Sequence, residues 1–152
     1  MVNNLKLNFS YLFLLSSISF LLTGCPGVGD RLTPDETTTV ELIDGSVCFL
    51  IDNPRDYQPQ DIGINPRGVP LKEKKFILEP DLTISDGKLC VPPAFYNFPK
   101  NGKFIAEYIL ASNVSGNNTR KFVVGIGIAN GHVYNFPLTS GEITRPSISI
   151  KK

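Results

Sequence analysis

Three dipeptides that favour hairpin turns divide this sequence: Asp44-Gly45, Asp86-Gly87 and Asn130-Gly131. Each stands between short runs of apolar and β-branched residues, the pattern of two antiparallel strands joined by a two-residue turn. The chain also carries 13 Gly and 12 Pro spread along its 152 residues. Such frequent turn-forming residues are typical of many short strands rather than helices, so the sequence predicts an all-β fold.

The spacing of the apolar runs refines this prediction. Eight or nine short strands recur at roughly the 8–12-residue interval of a sandwich. Residues 120–129 are the longest strand candidate, residues 52–60 are predicted as a loop, residues 74–79 are predicted as a short strand, and the alternating residues 143–150 are predicted to close the domain. Outside the first 24 residues no stretch has three turns of helical periodicity. We therefore predict a Greek-key β-sandwich, immunoglobulin-like or transthyretin-like.

Two of the predicted strands indicate what lies on each face. Residues 103–111 alternate, and one face would carry Phe104, Ala106, Tyr108 and Leu110. Gly125 and Gly127 alternate with Ile inside a strand, whereas a nucleotide-binding glycine motif needs its glycines in a strand-to-helix turn. We therefore expect these two glycines to permit the close approach of another backbone or of a ring.

The N-terminal residues have the pattern of a bacterial lipoprotein signal. A basic start with Lys6 and an apolar run at residues 9–22 lead into Leu22-Thr23-Gly24-Cys25, which is a lipobox. The apolar run is too short and wrongly flanked for a membrane-spanning helix, so residues 1–24 are predicted to be a cleaved signal peptide. The Cys25 thiol would then accept a diacylglycerol group, and two or three acyl chains give stable anchoring.

Removal of this signal divides the remaining chain into a tether and a domain. Residues 25–36 are polar and contain Gly and Pro, so they are predicted to be the acylated Cys with a flexible spacer. The domain would then cover residues 37–152. Pro26 follows Cys25 where an Asp would retain a lipoprotein in the inner membrane, which favours the inner leaflet of the outer membrane, facing the periplasm of a Gram-negative bacterium.

The other two cysteines, Cys48 and Cys90, lie inside apolar strand-like runs. An even number of cysteines in an exported domain favours a disulfide. A bridge between Cys48 and Cys90 would close a loop of about 42 residues, which contributes on the order of 4 kcal/mol to stability in the chain-entropy model. The alternative is two separate buried thiols. No C-x-x-C spacing is present, so the predicted bridge is structural rather than redox-active.

Charge and motif content narrow the classes of function. Without the signal the chain has 14 basic and 14 acidic residues, which argues against nucleic acid or an anionic membrane surface as the main partner. His132 is the only histidine, and the sequence has no G-x-S-x-G, H-E-x-x-H or paired-carboxylate motif. We therefore expect a protein that is not an enzyme and that has no metal site or cofactor.

Binding of a protein partner is the expectation that remains. Aromatic and arginine side chains dominate interface hot spots, and predicted loops carry several of them. Tyr57, Arg67 and Tyr96 are the predicted anchors, in loops at one end of the sandwich. The alternative for the rings at residues 95–98 is a small satellite core under a loop. The full set of candidates is Arg55, Asp56, Tyr57, Arg67, Phe95, Tyr96 and Phe98.

Several runs of this sequence resemble a family of small enterobacterial lipoproteins described as type VI secretion immunity periplasmic lipoproteins. Those runs are residues 24–31 and 34–40, Asp44-Gly45-Ser46-Val47-Cys48-Phe49, Asp86-Gly87-Lys88-Leu89-Cys90-Val91-Pro92-Pro93 and Phe95-Tyr96-Asn97-Phe98. The resemblance covers most of residues 24–129 and implies an immunity protein that neutralises a toxic effector.

Two other functions stay open at this point. The first is a structural or accessory lipoprotein of an envelope or secretion complex, since the accessory lipoprotein of the type VI membrane complex is also a small acyl-anchored sandwich. The second is a sandwich that binds a glycan or another small ligand in an aromatic-lined groove. Neither alternative requires a catalytic residue.

Overall fold

The structure is a computed structural model that describes residues 35–114 and 118–143. The predicted signal peptide, Cys25, the tether before Asp35 and all but the first residue of the predicted strand 143–150 lie outside the described residues. The described residues include all three predicted hairpin turns and both cysteines of the predicted disulfide.

Two antiparallel sheets make up the described domain. One has four strands in the order β1-β2-β6-β5, and the other has five in the order β4-β3-β7-β8-β9. A single 3-10 turn, Leu71–Glu73, is the only helical element among the described residues. The strands are β1 Val40–Ile43, β2 Ser46–Leu50, β3 Tyr57–Pro66, β4 Ile77–Leu78, β5 Ile84–Ser85, β6 Lys88–Val91, β7 Gly102–Ser112, β8 Thr119–Ala129 and β9 His132–Asn135.

The three predicted hairpin turns are confirmed. They join β1 to β2, β5 to β6 and β8 to β9. Both central residues of each turn have positive φ, with Asp44 at 48° and Gly45 at 80° in the first. That is the backbone of a type I′ turn, whose twist matches the twist of the strands it joins. Asp, Asn and Gly tolerate this conformation better than other residues, which is why the dipeptides predict the turns.

The two sheets pack face to face, in agreement with the predicted β-sandwich. Phe49 of β2 lies 5.1 Å from Tyr108 of β7, measured between ring centroids, and Tyr108 stacks on Phe122 of β8 at 4.9 Å. The predicted inner face of β7 is confirmed, because its four residues are all buried in this core: Phe104, Ala106, Tyr108 and Leu110. Burial of side chains of this size is the main stabilising contribution to such a domain.

The predicted disulfide is confirmed. Cys48 and Cys90 lie directly opposite each other on β2 and β6, with an S–S distance of 2.10 Å and a Cα–Cα distance of 4.0 Å. The alternative of two separate thiols is therefore wrong. A structural disulfide also indicates an oxidising, extracytoplasmic location for the domain.

Two predicted boundaries are wrong. The loop predicted at residues 52–60 ends earlier, because β3 begins at Tyr57 and pairs with β7 along its whole length. A shift of register between Pro59 and Asp61 accommodates the proline within the strand. The strand predicted at residues 74–79 is reduced to β4, since the Asn65 side chain, rather than a strand, bonds the backbone of Lys75.

Candidate partner-binding site

Tyr57 is buried, and the expectation of an exposed loop ring at this position is wrong. Only 6% of its surface is exposed, because it lies on β3 opposite Ser112 and packs in the sandwich core. The Arg120 guanidinium lies 5.7 Å from the ring centroid of Tyr57. A ring in this position stabilises the fold and offers no exposed surface to a partner.

Asp56, the neighbour of Tyr57, orders the loop at this end of the sandwich. Its carboxylate accepts hydrogen bonds from the Ser112 hydroxyl and, at 2.9 Å, from the Val114 amide. These two bonds favour the charged carboxylate and lower the pKa of Asp56. Its polar atoms are therefore engaged within the domain.

Glu36 ties the start of the described domain to β8. Its amide donates to the Lys121 carbonyl at 2.7 Å, and its carbonyl accepts from the Val123 amide at 2.8 Å. The Arg120 Nε donates to the Glu36 carboxylate at 2.9 Å, and this bond raises the pKa of Arg120. The sequence predicts Glu36 as the end of a flexible tether, because no local pattern indicates a partner 84 residues away.

Tyr96 belongs to a small aromatic cluster against the main core. Its ring lies 4.6 Å from Phe98 and 6.2 Å from Phe104, and Phe98 lies 5.4 Å from Phe104. Tyr96 and Phe98 are half-buried, and burial raises the pKa of Tyr96. This cluster is the satellite core that is the alternative to a binding surface for residues 95–98.

Tyr57 and Tyr96 lie at opposite ends of the sandwich. Tyr57 pairs with Ser112 at the end of β7, whereas Tyr96 packs on Phe104 near its beginning. Eight residues of extended chain separate these two β7 positions, about 27 Å at the rise of a strand. Arg67 lies at the same end as Tyr96, because its amide donates to the Lys103 carbonyl. The three predicted anchors therefore do not form one surface.

Arg67 joins two chain segments, residues 66–74 and residues 136–142, that cover the outer face of the five-stranded sheet. It donates through Nε and Nη2 to the two Glu142 carboxylate oxygens, at 2.7 and 2.9 Å, and it lies 4.7 Å from the Phe136 ring centroid. Hydrogen bonds from Arg67 and from Thr139 lower the pKa of Glu142 to about 2. The Arg67 guanidinium is therefore fixed by two contacts, the bidentate hydrogen bonds to Glu142 and the Phe136 ring.

Phe136 closes a second, smaller core on the same outer face. It packs with Ile105 of β7 and Val123 of β8. A Cβ added to Gly125 would lie 2.5 Å from the Phe136 carbonyl oxygen, and one added to Gly127 would lie 2.2 Å from the Tyr134 ring. The prediction that these glycines admit a neighbouring backbone and a ring is therefore confirmed.

A buried ion pair lies beside this small core. Glu107 of β7 is completely buried on the outer face, and its Oε2 accepts a hydrogen bond from the Lys74 Nζ at 2.8 Å. The Lys74 side chain is 15% exposed. The other carboxylate oxygen, Oε1, has no hydrogen-bond partner among the described residues. An ion pair with this little solvent depends strongly on both of its members.

A cavity of about 290 Å³ opens between the two covering segments, and we name it the outer groove. Apolar side chains and polar groups both line it, and Leu71 beside its mouth is 53% exposed. Of the three predicted anchors, Arg67 is connected to the groove, because it bonds the lining residue Glu142. Tyr57 and Tyr96 do not line the groove. The side chains that line the groove and determine what it could bind are Asn65, Val69, Leu71, Lys74, Ile105 and Glu142.

The described residues show neither a metal-binding constellation nor a membrane span. Within 35–114 and 118–143 no three His, Cys, Asp or Glu side chains are grouped so that they could hold a metal ion. No helix in the same residues is long and apolar enough to cross a membrane.

Comparison with known proteins places the domain in a family. No curated protein and no solved structure matches this chain. Residues 35–131 match the family described as Domain of unknown function (DUF7480). The match spans β1 to β8 and ends before β9, so Phe136 and Glu142 lie beyond it. Because the match covers more than half of the sequence, the chain belongs to the DUF7480 family.

Proposed function

We propose that this protein is a lipid-anchored, periplasmic protein-binding module that neutralises a type VI secretion effector by covering the effector's active surface. The observation that carries the proposal is the outer groove, an apolar depression with charged groups at its rim. Inhibition by occlusion requires a rigid scaffold and a complementary surface, and no catalytic group. The resemblance noted for residues 24–129 supports an effector as the partner.

The outer groove has the properties of a receptor for one anchor side chain. Its solvent-accessible apolar side chains, Val69 and Leu71, would be covered on binding above the already buried Ile105, while Lys74 and Glu142 would contact polar groups around the anchor. The bidentate Arg67–Glu142 pair holds the rim in place before binding. A rim that is already ordered loses little conformational entropy when a partner binds.

The location and the finer fold belong to the same proposal. The lipobox at Cys25 supports an acyl anchor, Pro26 supports the outer membrane, and the Cys48–Cys90 disulfide fits a periplasmic domain. Pairing of β2 with β6 and of β3 with β7 brings together strands that are not consecutive, which fits a Greek-key sandwich of the immunoglobulin-like or transthyretin-like kind.

To test this proposal, an effector whose gene lies beside the gene for this protein is expressed in the periplasm, with and without the full chain. We expect survival only with the chain, and a dissociation constant near nanomolar, about −12 kcal/mol. Leu71→Asp should weaken the complex by more than about 2 kcal/mol, or roughly thirtyfold. Leu42→Asp is the matched control, because Leu42 on β1 is 49% exposed and lies away from the groove lining.

Three results would contradict parts of the proposal. Equal survival with and without the chain, and no co-purifying effector, would refute immunity. Co-purification with structural subunits of a secretion complex instead would support the accessory-lipoprotein function. A fatty-acid probe that still labels a Cys25→Ala chain would refute Cys25 as the site of the acyl anchor, independently of either partner.

A further inference from the structure

The outermost strand of the five-stranded sheet is β4, Ile77–Leu78. Its two side chains point to opposite faces of the sheet, yet both are exposed, at 48% for Ile77 and 53% for Leu78. Edge strands of soluble proteins are usually protected by charges, by proline or by a covering segment. β4 is short and has Lys75, Glu79 and Pro80 beside it, but Ile77 and Leu78 leave apolar surface available to another strand on both faces of this edge.

The backbone of β4 presents hydrogen-bonding groups outward. The Glu79 amide donates to the Gln60 carbonyl at 2.8 Å, so Glu79 faces β3. Leu78 pairs with Asp61, one position along. Because antiparallel pairs alternate between bonded and non-bonded positions, the N–H and C=O of Leu78 point away from β3. They point toward the position that an added strand would occupy.

Charges on either side of β4 identify the added strand. The exposed Lys75 precedes the two apolar residues, and the exposed Glu79 and Asp81 follow them. An antiparallel strand of the same sequence would place its own acidic end beside Lys75 and its own Lys75 beside the acidic end. The segment is therefore complementary to itself, which a two-fold contact between identical subunits requires.

We propose that β4 pairs with β4 of a second copy of this chain, antiparallel and about a two-fold axis, to extend the five-stranded sheet across both copies. Glu36, through which the chain enters the domain, is bonded to β8, which lies three strands away from β4. Pairing through β4 therefore does not involve the contact between Glu36 and β8. The proposal does not depend on an effector partner.

Cysteine capture in cells that express the full chain tests the contact directly. Leu78→Cys should give a cross-linked dimer with a short thiol cross-linker, because the two-fold axis brings the two Leu78 positions together. Leu42→Cys should not, although Leu42 is also an exposed leucine on an edge strand. Cys48 and Cys90 are bonded to each other and do not compete for the reagent, and Cys25 is present equally in the Leu78→Cys and Leu42→Cys chains.

Charge reversal tests the register of the same contact. In the purified full chain, sedimentation should show a dimer that Lys75→Glu weakens about tenfold, since two charge pairs become repulsive. Lys75→Glu combined with Asp81→Lys should restore it, because an antiparallel register with Leu78 opposite Leu78 places Lys75 opposite Asp81. A monomer at all concentrations without Leu78→Cys cross-linking, equal capture by Leu42→Cys, or capture of a different protein at Leu78→Cys would overturn the proposal.

Discussion

The two faces of the five-stranded sheet are both buried, but different interactions hold them. The inner face packs against the other sheet through apolar side chains, with Phe49, Tyr108 and Phe122 in ring contact. The outer face buries polar groups, among them Asn65 and Glu107, under segments that are mostly irregular. An apolar face is stabilised by the area it buries, whereas a polar face is stable only when its buried groups have partners.

Breaking the buried ion pair should have the largest effect on the outer face. Lys74→Met leaves the Glu107 carboxylate buried without its cation, which typically costs about 3–5 kcal/mol. The free energy of unfolding from urea denaturation, monitored by fluorescence of the tyrosines, measures the loss. Replacement of both members, Lys74→Met with Glu107→Leu, should recover most of it, because no buried charge remains. Equal destabilisation in the single and double variants would show that the ion pair is not the cause.

The glycines of β8 give an intermediate effect. Gly125→Ala should destabilise by about 1–3 kcal/mol, because the new methyl group meets the backbone oxygen of Phe136. Gly127→Ala should cost less, since the ring it meets belongs to Tyr134, which is 41% exposed and can rotate away. Thermal unfolding of both variants measures the difference. A larger loss at Gly127 would mean that Tyr134 is fixed more firmly than its exposure indicates.

A single unpartnered hydroxyl distinguishes the inner face. The Tyr108 hydroxyl is buried and has no hydrogen-bond partner among the described residues, and burial raises the pKa of Tyr108 well above its ordinary value. Tyr108→Phe keeps both ring contacts and removes the hydroxyl, so we expect a gain of about 1 kcal/mol in the free energy of unfolding. A clear loss in chemical denaturation would reveal a partner for this hydroxyl.

The Arg67–Glu142 pair should give the smallest effect, and one that depends on pH. The pKa of Glu142 is about 2 in the folded chain, lowered from 4.5 by hydrogen bonds from Arg67 and Thr139. A lowered pKa stabilises the fold above pH 4.5, and this stabilisation is lost as the pH falls from 4.5 to about 2. Glu142→Gln should therefore cost about 1 kcal/mol or less at pH 7, and almost nothing near pH 2. A difference that stays constant over this range would contradict the assignment.

Local chemistry explains which features can be predicted from the sequence. The turns at Asp44, Asp86 and Asn130 are predictable because the two residues that adopt positive φ are themselves the signal. The inner face of β7 is predictable from strict alternation. The disulfide is predictable from an even count of cysteines in an exported chain, once the lipobox has claimed Cys25.

Distant pairing explains what the sequence does not predict. Tyr57 resembles a loop residue because Pro54 and Pro59 flank it, and a proline inside a strand is common only at an edge or a bulge. The Arg67–Glu142 contact joins residues 75 positions apart, and no local pattern marks either as the partner of the other. The outer groove depends on that contact, so sequence patterns alone cannot locate it.

The attachment of Glu36 to β8 has a mechanical consequence. Any tension on the chain before Asp35 passes through Glu36, whose two backbone bonds and ion pair with Arg120 join it to β8. Glu36 forms a parallel bridge with Phe122, in the middle of a strand that is bonded to β7 over ten residue pairs. A pulling force would therefore be distributed into the longest strands of the molecule, rather than peeling β1 away from the disulfide-linked sheet.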